Sequence, residues 1–213
     1  EHDMARELRY DFLSETALKL MADLASEKQP LIATARHLDD QIETVLMRLF
    51  SGSGLEGLSG IRPRLSWKGE NQLYIIRPLL KYRHQDLVEY CNSRGLEFIN
   101  DPSNADIEYP RNYVRHKIVP VIEEKFGEAG LTGIARSAEI IRSAEKFSSE
   151  EVDKMLAESV VCRKSCELEL DYRQYSSYLD WIRLLSIKRN VSNLTGNTHR
   201  ITYERCKAVE QFL

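Results

Sequence analysis

The segment Thr34-Ala-Arg-His-Leu-Asp-Asp-Gln-Ile-Glu-Thr44 holds the densest set of chemically active side chains. Asp40 and Glu43 are three residues apart, so they share one face of a predicted helix. The segment follows a predicted strand, at the edge where open α/β sheets bind ligands. His37 adds a group that titrates near neutral pH. Two other interpretations stay open: Asp39 or Asp40 caps the helix, or the set binds Mg²⁺ or Zn²⁺, although its spacing matches no defined zinc motif.

A second segment, residues 101–117, places two arginines on the next predicted helix. Arg111 and Arg115 are four residues apart and therefore project from one face. Their planar guanidinium groups suit phosphate or carboxylate. They lie near the helix N-terminus, where a cation opposes the macrodipole, so their placement indicates an anionic partner. The competing interpretation is an ordinary salt bridge to one of three nearby acids, Asp101, Asp106 or Glu108.

Two weaker features are a glycine-rich loop and a basic stretch. Glycines at positions 52, 54, 57 and 60 allow tight turns, but the chain contains no GxxxxGK[ST] motif. Between Trp181 and Lys207 there are six lysines and arginines and a single acid, Glu204. This stretch is either a surface for a phosphate backbone or a solvated helix face.

Alternating helices and strands must position these segments. Apolar periodicity predicts helices over 4–25, 39–50 and 84–94 and short strands over 30–35, 74–76 and 98–99. This alternation is typical of an α/β fold with an open sheet and crossover helices. From Arg111 the pattern is nearly all helical, with an alternating strand at 167–170. We therefore place a boundary near 115–130 and divide the chain into residues 1–120 and 121–213.

The composition is typical of a soluble globular protein. The chain has 213 residues, of which 42% are hydrophobic and 30% charged, which excludes a disordered chain. No apolar run approaches about eighteen residues, so no membrane span is predicted. Cys91, Cys162, Cys166 and Cys206 are too scattered for a disulfide framework, which predicts a cytoplasmic protein. A net charge of −3 excludes a uniformly basic coat but not a local basic face.

Five blocks in the same order resemble the tRNA(Ile)-lysidine synthetase family of N-type ATP pyrophosphatases. The blocks are Ala33-Thr-Ala-Arg-His-Leu-Asp-Asp-Gln-Ile-Glu-Thr-Val-Leu46, Gly52-Ser-Gly-Leu-Glu-Gly-Leu-Ser-Gly-Ile61, Ile76-Arg-Pro-Leu-Leu80, Asn100-Asp-Pro-Ser-Asn104 and Arg111-Asn-Tyr-Val-Arg-His116. Ala5-Arg-Glu-Leu-Arg-Tyr10 matches the helix that the family places before its acidic motif. The resemblance implies an incomplete parallel sheet of the adenine nucleotide alpha hydrolase type, followed by a mostly helical domain that contacts tRNA.

The resemblance also implies a specific ligase reaction. ATP adenylates C2 of the wobble cytidine of tRNA(Ile) with a CAU anticodon. The amine of free lysine then displaces AMP and gives lysidine. The implied partners are tRNA(Ile), lysine and ATP, with Mg²⁺ as a candidate cofactor and no membrane; a homodimer is left open.

Four residues fall on the family's catalytic positions. Asp40 and Glu43 match the acidic pair, which we assign to the lysine amine and to Mg²⁺ if the ion binds. Arg9 and Arg115 match two arginines, which we assign to charge on ATP or on the adenylated intermediate. No residue is assigned as a dedicated metal ligand. The substrate-binding candidates are His37, Asp39, Arg111 and Asn112.

Two departures from the family pattern are visible. Arg36 stands where the family usually has the first histidine of a pair, which argues against a neutral imidazole there. The family's Ser-Gly-Gly-x-Asp-Ser pyrophosphate loop does not occur in these residues. Because backbone N–H groups of such a loop cradle phosphates, we expect the chain to be part of a longer enzyme and inactive in isolation. The alternatives are another ATP-pyrophosphatase tRNA modifier, such as a cytidine thiolase, and a non-catalytic tRNA-binding module.

Overall fold

The computed structural model describes residues 2–23, 30–67, 73–99, 101–164, 167–195 and 201–212. The chain forms two compact units, Glu1–Arg142 and Ser143–Leu213. The predicted division at residue 120 separates a catalytic from a tRNA-contacting part, and it stays a prediction.

The described residues form short strands and longer helices in both units. The elements in chain order are α1 (His2–Asp23), β1 (Leu31–Ala33), α2 (Leu38–Phe50), α3 (Leu55–Leu58), β2 (Arg64–Ser66), β3 (Tyr74–Ile76), α4 (His84–Ser93), α5 (Pro110–Tyr113), α6 (Val119–Ser159), β4 (Val160–Arg163), β5 (Leu168–Leu170), α7 (Tyr172–Ser176), α8 (Asp180–Thr195) and α9 (Tyr203–Glu210). A 3-10 turn (Pro102–Ala105) precedes α5, and a π-helical turn (Val114–Ile118) joins α5 to α6. Helix α6 is interrupted at Gly127, whose φ of 63° and ψ of −170° are not helical.

Three described strands form the sheet of the first unit in the order β1-β3-β2. β1 and β3 are parallel, with Ile32 opposite Ile75, which confirms the predicted parallel pair and the α/β class. The antiparallel strand β2, which pairs Leu65 with Ile75, was not predicted. Ile32, Leu73 and Ile75 form the buried core of this sheet with Tyr10 of α1.

The apolar face of α2 packs against the segment that follows α5. Ile42 and Leu46 form one buried cluster with Val114 of the π-helical turn and Leu131 of α6. Apolar residues spaced by three or four positions bring these helices face to face. This packing places the first turns of α2 beside α5 and the π-helical turn, which carry Arg111 and Arg115, respectively. Phe50, predicted on the same face, is 62% exposed at the helix end.

The predicted strand at 98–99 is wrong. Helix α4 ends before Gly95, whose φ of 63° favours glycine, and residues 96–99 then have no regular structure. Phe98 and Ile99 are exposed, Ile99 to 97%. A run of two apolar residues is shorter than the usual strand of a globular protein, so it was a weak basis for the prediction.

The second unit is built from a hairpin and helices. β4 and β5 are antiparallel, with Val160 opposite Leu170. β5 confirms the strand predicted at 167–170, whereas β4 was not predicted. The core of this unit contains Val152, Met155, Tyr175 and Ile182. Among the residues that the structure describes, no helix is both long enough and apolar enough to cross a membrane.

Candidate active site

Helix α2 begins at the carboxyl end of β1, as the sequence predicts. The Thr34 N–H donates to the Ile76 carbonyl at 2.9 Å and extends the pairing of β1 with β3. His37 precedes the helix in extended backbone, with φ −122° and ψ −179°. The Leu38 N–H donates to the Tyr82 carbonyl at 2.8 Å. Backbone hydrogen bonds therefore hold the first turn of α2 at the ligand-binding edge of the sheet.

Asp40 and Glu43 lie side by side on α2 and bind the same arginine. Arg111 donates from Nε to Glu43 Oε2 at 2.8 Å and from Nη2 to Asp40 Oδ1 at 2.7 Å. The two carboxylate side chains are only 8% and 1% exposed, respectively. The prediction that they share a face is confirmed. Burying carboxylates is costly unless cationic groups pair with them, and Arg111 is such a partner for both.

Arg115 binds the same buried carboxylate with two nitrogens. Its Nε donates to Glu43 Oε1 at 2.6 Å and its Nη2 donates to Glu43 Oε2 at 3.1 Å. The hydrogen bond to Glu43 raises the pKa of Arg115 above its ordinary value, although partial burial acts in the opposite direction. The prediction that Arg111 and Arg115 share a face is confirmed. Glu43 therefore fixes two guanidinium groups next to each other.

The acids nearer in sequence have other roles. Asp101 accepts a hydrogen bond from the Ser103 N–H at 2.9 Å, and Asp106 accepts one from the Glu108 N–H at 3.0 Å. The salt-bridge interpretation was therefore right about the type of partner and wrong about which acids. The buried Asn112 amide donates to the Ser103 and Asp106 carbonyls at 2.9 and 2.8 Å. These bonds shape the 3-10 turn, whereas a substrate contact for Asn112 stays a prediction.

Asp40 also fixes the start of its own helix. Its Oδ2 accepts a hydrogen bond from the His37 N–H at 3.1 Å, the side chain to backbone half of a capping box. Its Oδ1 accepts a second guanidinium bond, from Arg36 Nη1 at 3.2 Å. Of the two acids predicted to cap α2, Asp40 takes part in the capping. The Arg36 contact was not predicted, although its i,i+4 spacing to Asp40 was a readable signal.

Asp39 caps a different helix. Its Oδ2 accepts a hydrogen bond from the His84 N–H at 2.6 Å, and its Oδ1 accepts one from Arg83 Nε at 2.9 Å. Arg83 also contacts Glu123, which ties α2, α4 and α6 together. Burial on its own would raise the pKa of Asp39, but hydrogen bonds from His37, His84 and Arg83 outweigh it and hold that pKa well below its usual range.

We expect the contribution of Asp39 to stability to disappear in acid. A lowered folded-state pKa stabilises the protein above the unfolded pKa, ordinarily 3.8, and the stabilisation fades as pH falls below it. Asp39→Asn should cost about 1–3 kcal/mol of unfolding free energy at pH 7, and this cost should begin to shrink between pH 4 and pH 3, because the unfolded state binds the proton first while the folded carboxylate keeps its charge to lower pH. Urea unfolding from pH 3 to 8 measures this, with the exposed Asp23→Asn as control. An equal cost at both pH values would contradict the assignment.

Arg9 is not joined to this cluster. It lies exposed on α1, one residue before the buried Tyr10. Within the part of the chain that the structure describes, Arg9 makes no hydrogen bond or ion pair. The structure thus brings together Asp40, Glu43 and Arg115 of the four catalytic candidates, and the role of Arg9 stays a prediction.

The glycine loop is anchored beside the cluster by side chains that sequence reasoning missed. Gln41 accepts a hydrogen bond from the Ile61 N–H at 2.6 Å. Arg142 donates to the carbonyls of Ser59 and Ile61 at 2.8 and 3.0 Å. Part of the loop is the short helix α3. Gln41 adjoins Asp40 in sequence, so the loop and the carboxylates are positioned by the same turn of α2.

Gly60→Ala should destabilise the protein more than Gly52→Ala does. Both glycines have φ +67°, which costs an alanine about 1 kcal/mol. Only at Gly60 would a Cβ lie 2.5 Å from Gln41 Nε2, whereas nothing lies within 4 Å at Gly52. Displacing Gln41 also breaks its bond to Ile61, so we expect about 1–3 kcal/mol of additional loss. Urea unfolding of both variants gives the difference, and equal losses would contradict the anchoring by Gln41.

The carboxylates are poorly placed for a metal ion. No group of three or more histidine, cysteine, aspartate or glutamate side chains suited to a metal occurs among the residues that the structure describes. Both Glu43 oxygens accept guanidinium hydrogen bonds, and so does Asp40 Oδ1. Mg²⁺ needs carboxylate oxygens that are not already shared with cations. The residues as arranged therefore do not fit the expected Mg²⁺, and we assign it no step.

The basic stretch of the second unit is partly neutralised. Arg183 pairs with Glu210 and with Asp180, the latter at 2.9 Å. Arg189 pairs with Asp153. The acids lie outside the stretch in sequence, so counting charges between positions 181 and 207 overestimated its positive potential. These two arginines are therefore held in ion pairs, and Arg183, 18% exposed, does not lie on a solvated face.

Comparison with known protein families and sequences adds an independent finding. Residues 2–122 match the PP-loop domain family. The chain is 37% identical over 154 residues to a tRNA(Ile)-lysidine synthase of Chlorobaculum tepidum, which covers 72% of this chain and 42% of that protein. It is 37% identical over 148 residues to one of Symbiobacterium thermophilum, covering 70% of this chain and 29% of that protein.

A third relative matches nearly the whole chain. A tRNA(Ile)-lysidine synthase of Geobacter sulfurreducens is 29% identical over 215 residues, which covers 99% of this chain. The chain spans 42% of the length of that relative, so all three comparisons cover less than half of the relative's own length. The likeness therefore extends past the PP-loop match into the helical second unit.

Proposed function

The chain belongs to the PP-loop domain family, and on that premise we propose that it is part of an enzyme that ligates lysine to tRNA(Ile) at the expense of ATP. ATP adenylates C2 of the wobble cytidine in the CAU anticodon, and the amine of free lysine displaces AMP. The observation that carries this proposal is the junction of Asp40 and Glu43 with Arg111 and Arg115 at the carboxyl end of β1. The names of the relatives support the reaction class.

In this proposal the arginines act on phosphate charge. The guanidinium groups of Arg111 and Arg115 are held before any substrate arrives, so they need no reorganisation when anionic charge develops on ATP or on the adenylated intermediate. Each is about one third exposed, at 32% and 31%, and so remains accessible to a ligand. Arg9 is retained as a third candidate for the same charge, without a contact that supports it.

The two carboxylates take different parts in the proposed reaction. Glu43 is 1% exposed and accepts three guanidinium hydrogen bonds, so its part is to position the arginines. Asp40 Oδ2 accepts only the His37 N–H among the described donors within hydrogen-bond distance. We therefore assign the lysine amine to Asp40, since a carboxylate oxygen is a strong acceptor for an ammonium or amine N–H. His37 and Asp39 support the helix turn that presents this oxygen.

Lysine incorporation tests the proposal directly. The complete gene product is incubated with labelled lysine, ATP and unmodified tRNA(Ile), and the label in tRNA is counted together with released AMP and pyrophosphate. We expect one AMP per lysine transferred, and no transfer to the same tRNA with uridine at the wobble position. Absence of lysine incorporation into the cytidine tRNA would refute the ligase.

Sulfur transfer, the neighbouring chemistry, has no support in the cluster. A thiolase is expected to hold cysteines for sulfur or for an iron–sulfur group near its ATP site. Cys91, Cys162 and Cys206, the cysteines of the described residues, lie outside the segments 36–43 and 111–115 that build the cluster.

A further inference from the structure

We propose that Arg36 is an additional guanidinium for the polyphosphate of ATP, acting with Arg111 and Arg115. This inference deepens the proposed function and rests on it. Nothing in the comparisons or the motif blocks assigns a role to an arginine at position 36.

The cluster of arginines and carboxylates carries an excess of positive charge. Three guanidinium groups, on Arg36, Arg111 and Arg115, surround the two carboxylates of Asp40 and Glu43, which leaves one positive charge in excess. The neighbouring Asp39 pairs with Arg83, and Glu123, the second acid on Arg83, is 47% exposed, so solvent screens the surplus negative charge of that group. The cluster thus lacks one negative charge, which a bound anion would provide.

The positive groups of the cluster lie closer to solvent than its negative groups do. The guanidinium side chains of Arg36, Arg111 and Arg115 are 38%, 32% and 31% exposed, whereas the carboxylates beneath them are 8% and 1% exposed. The positive groups therefore meet solvent and the negative groups do not. A ligand that approaches from solvent first meets N–H donors, which are suited to phosphate oxygens.

The hydrogen bond to Asp40 does not account for the position of the Arg36 guanidinium group. Arg36 donates at 3.2 Å to the same Oδ1 that Arg111 already binds at 2.7 Å. Only one of its three nitrogens, Nη1, donates to a residue that the structure describes. An i,i+4 ion pair with so exposed a partner contributes little stability. The remaining N–H donors of Arg36 are therefore left for a ligand.

Arg36 lies just before the N-terminus of a helix. It precedes His37, the N-cap residue of the 13-residue helix α2. The N-terminus of a helix repels cations and attracts anions. A guanidinium group kept at such a place is explained if an anion binds there and is shared by the guanidinium and the helix terminus.

Calorimetric titration with inorganic pyrophosphate tests the role of Arg36. The complete gene product is compared with Arg36→Gln and Arg36→Lys at one ionic strength. Loss of a charge-assisted hydrogen bond should weaken binding by about tenfold in Arg36→Gln and by less in Arg36→Lys. Arg48→Gln, an exposed position in the last turn of α2, removes the same net charge and should bind as the wild type does.

The outcomes separate the inference from alternatives. Wild-type affinity in Arg36→Gln, or no pyrophosphate binding by the wild type, would overturn it. A purely structural Arg36 would lower the melting temperature without changing the affinity, which would also overturn it. A second titration with a short single-stranded RNA locates the phosphate: an effect of Arg36→Gln on RNA alone would overturn the polyphosphate assignment. These titrations contain no lysine, so a negative result leaves the lysine incorporation assay to judge the ligase separately.

Discussion

Glu43→Gln is expected to lower the free energy of unfolding by about 2–4 kcal/mol. Glu43 is 1% exposed and accepts hydrogen bonds from Arg111 Nε and from Arg115 Nε and Nη2. Glutamine has the same shape, but it is neutral and presents an N–H₂ group where Glu43 presents a second acceptor oxygen. One guanidinium nitrogen would then face another donor, Arg115 would lose its buried partner carboxylate, and Arg111 would keep only Asp40.

Urea unfolding of the 213-residue chain measures this loss. Glu128→Gln makes the same chemical change at an exposed position of α6 and should stay within about 0.5 kcal/mol of the wild type. If Glu43→Gln lowered the free energy of unfolding no more than this control does, the ion pairs of Glu43 would contribute no net stability. In the complete gene product the same substitution should also slow lysine incorporation, because the arginines lose the group that positions them.

The two halves of the cluster could be predicted from sequence because each is local. The spacing of Asp40 and Glu43, and that of Arg111 and Arg115, fixes a shared face through helix geometry alone. Their meeting could not be predicted, since Arg111 and Glu43 are separated by 68 positions. It depends on the packing of the apolar face of α2 against the segment after α5, which periodicity cannot assign to a partner.

The errors have the same physical origin. Asp39 was one of two acids considered as the cap of α2, but its donors are Arg83 and the first residue of α4, 44 and 45 positions later in the chain. The positive charge of the basic stretch was overestimated because the acids that pair with Arg183 and Arg189 lie outside it in sequence. Sequence patterns report which face a side chain occupies. They do not report which distant group the tertiary packing brings to that face.

Arg115→Ala should reduce the rate of lysine transfer by about 10²–10³-fold while the protein stays folded. In the proposed reaction its guanidinium stabilises charge that grows in the transition state, and alanine removes that charge entirely. Glu43 keeps its bond from Arg111 at 2.8 Å, so it is not left without a cation. We therefore expect a loss of only about 1–2 kcal/mol in unfolding free energy, less than for Glu43→Gln.

Arg115→Lys distinguishes catalysis from mere pairing. Lysine keeps the positive charge but cannot reproduce the two-nitrogen contact of Arg115 with Glu43. Stability should recover almost fully, whereas the rate should recover only in part, because the charge is no longer held in place. Normal turnover in Arg115→Ala together with a lower melting temperature would assign Arg115 to structure alone. The double variant Glu43→Gln/Arg115→Ala then measures their coupling, which we expect to reach about 1–3 kcal/mol in stability, since the two groups are in direct contact.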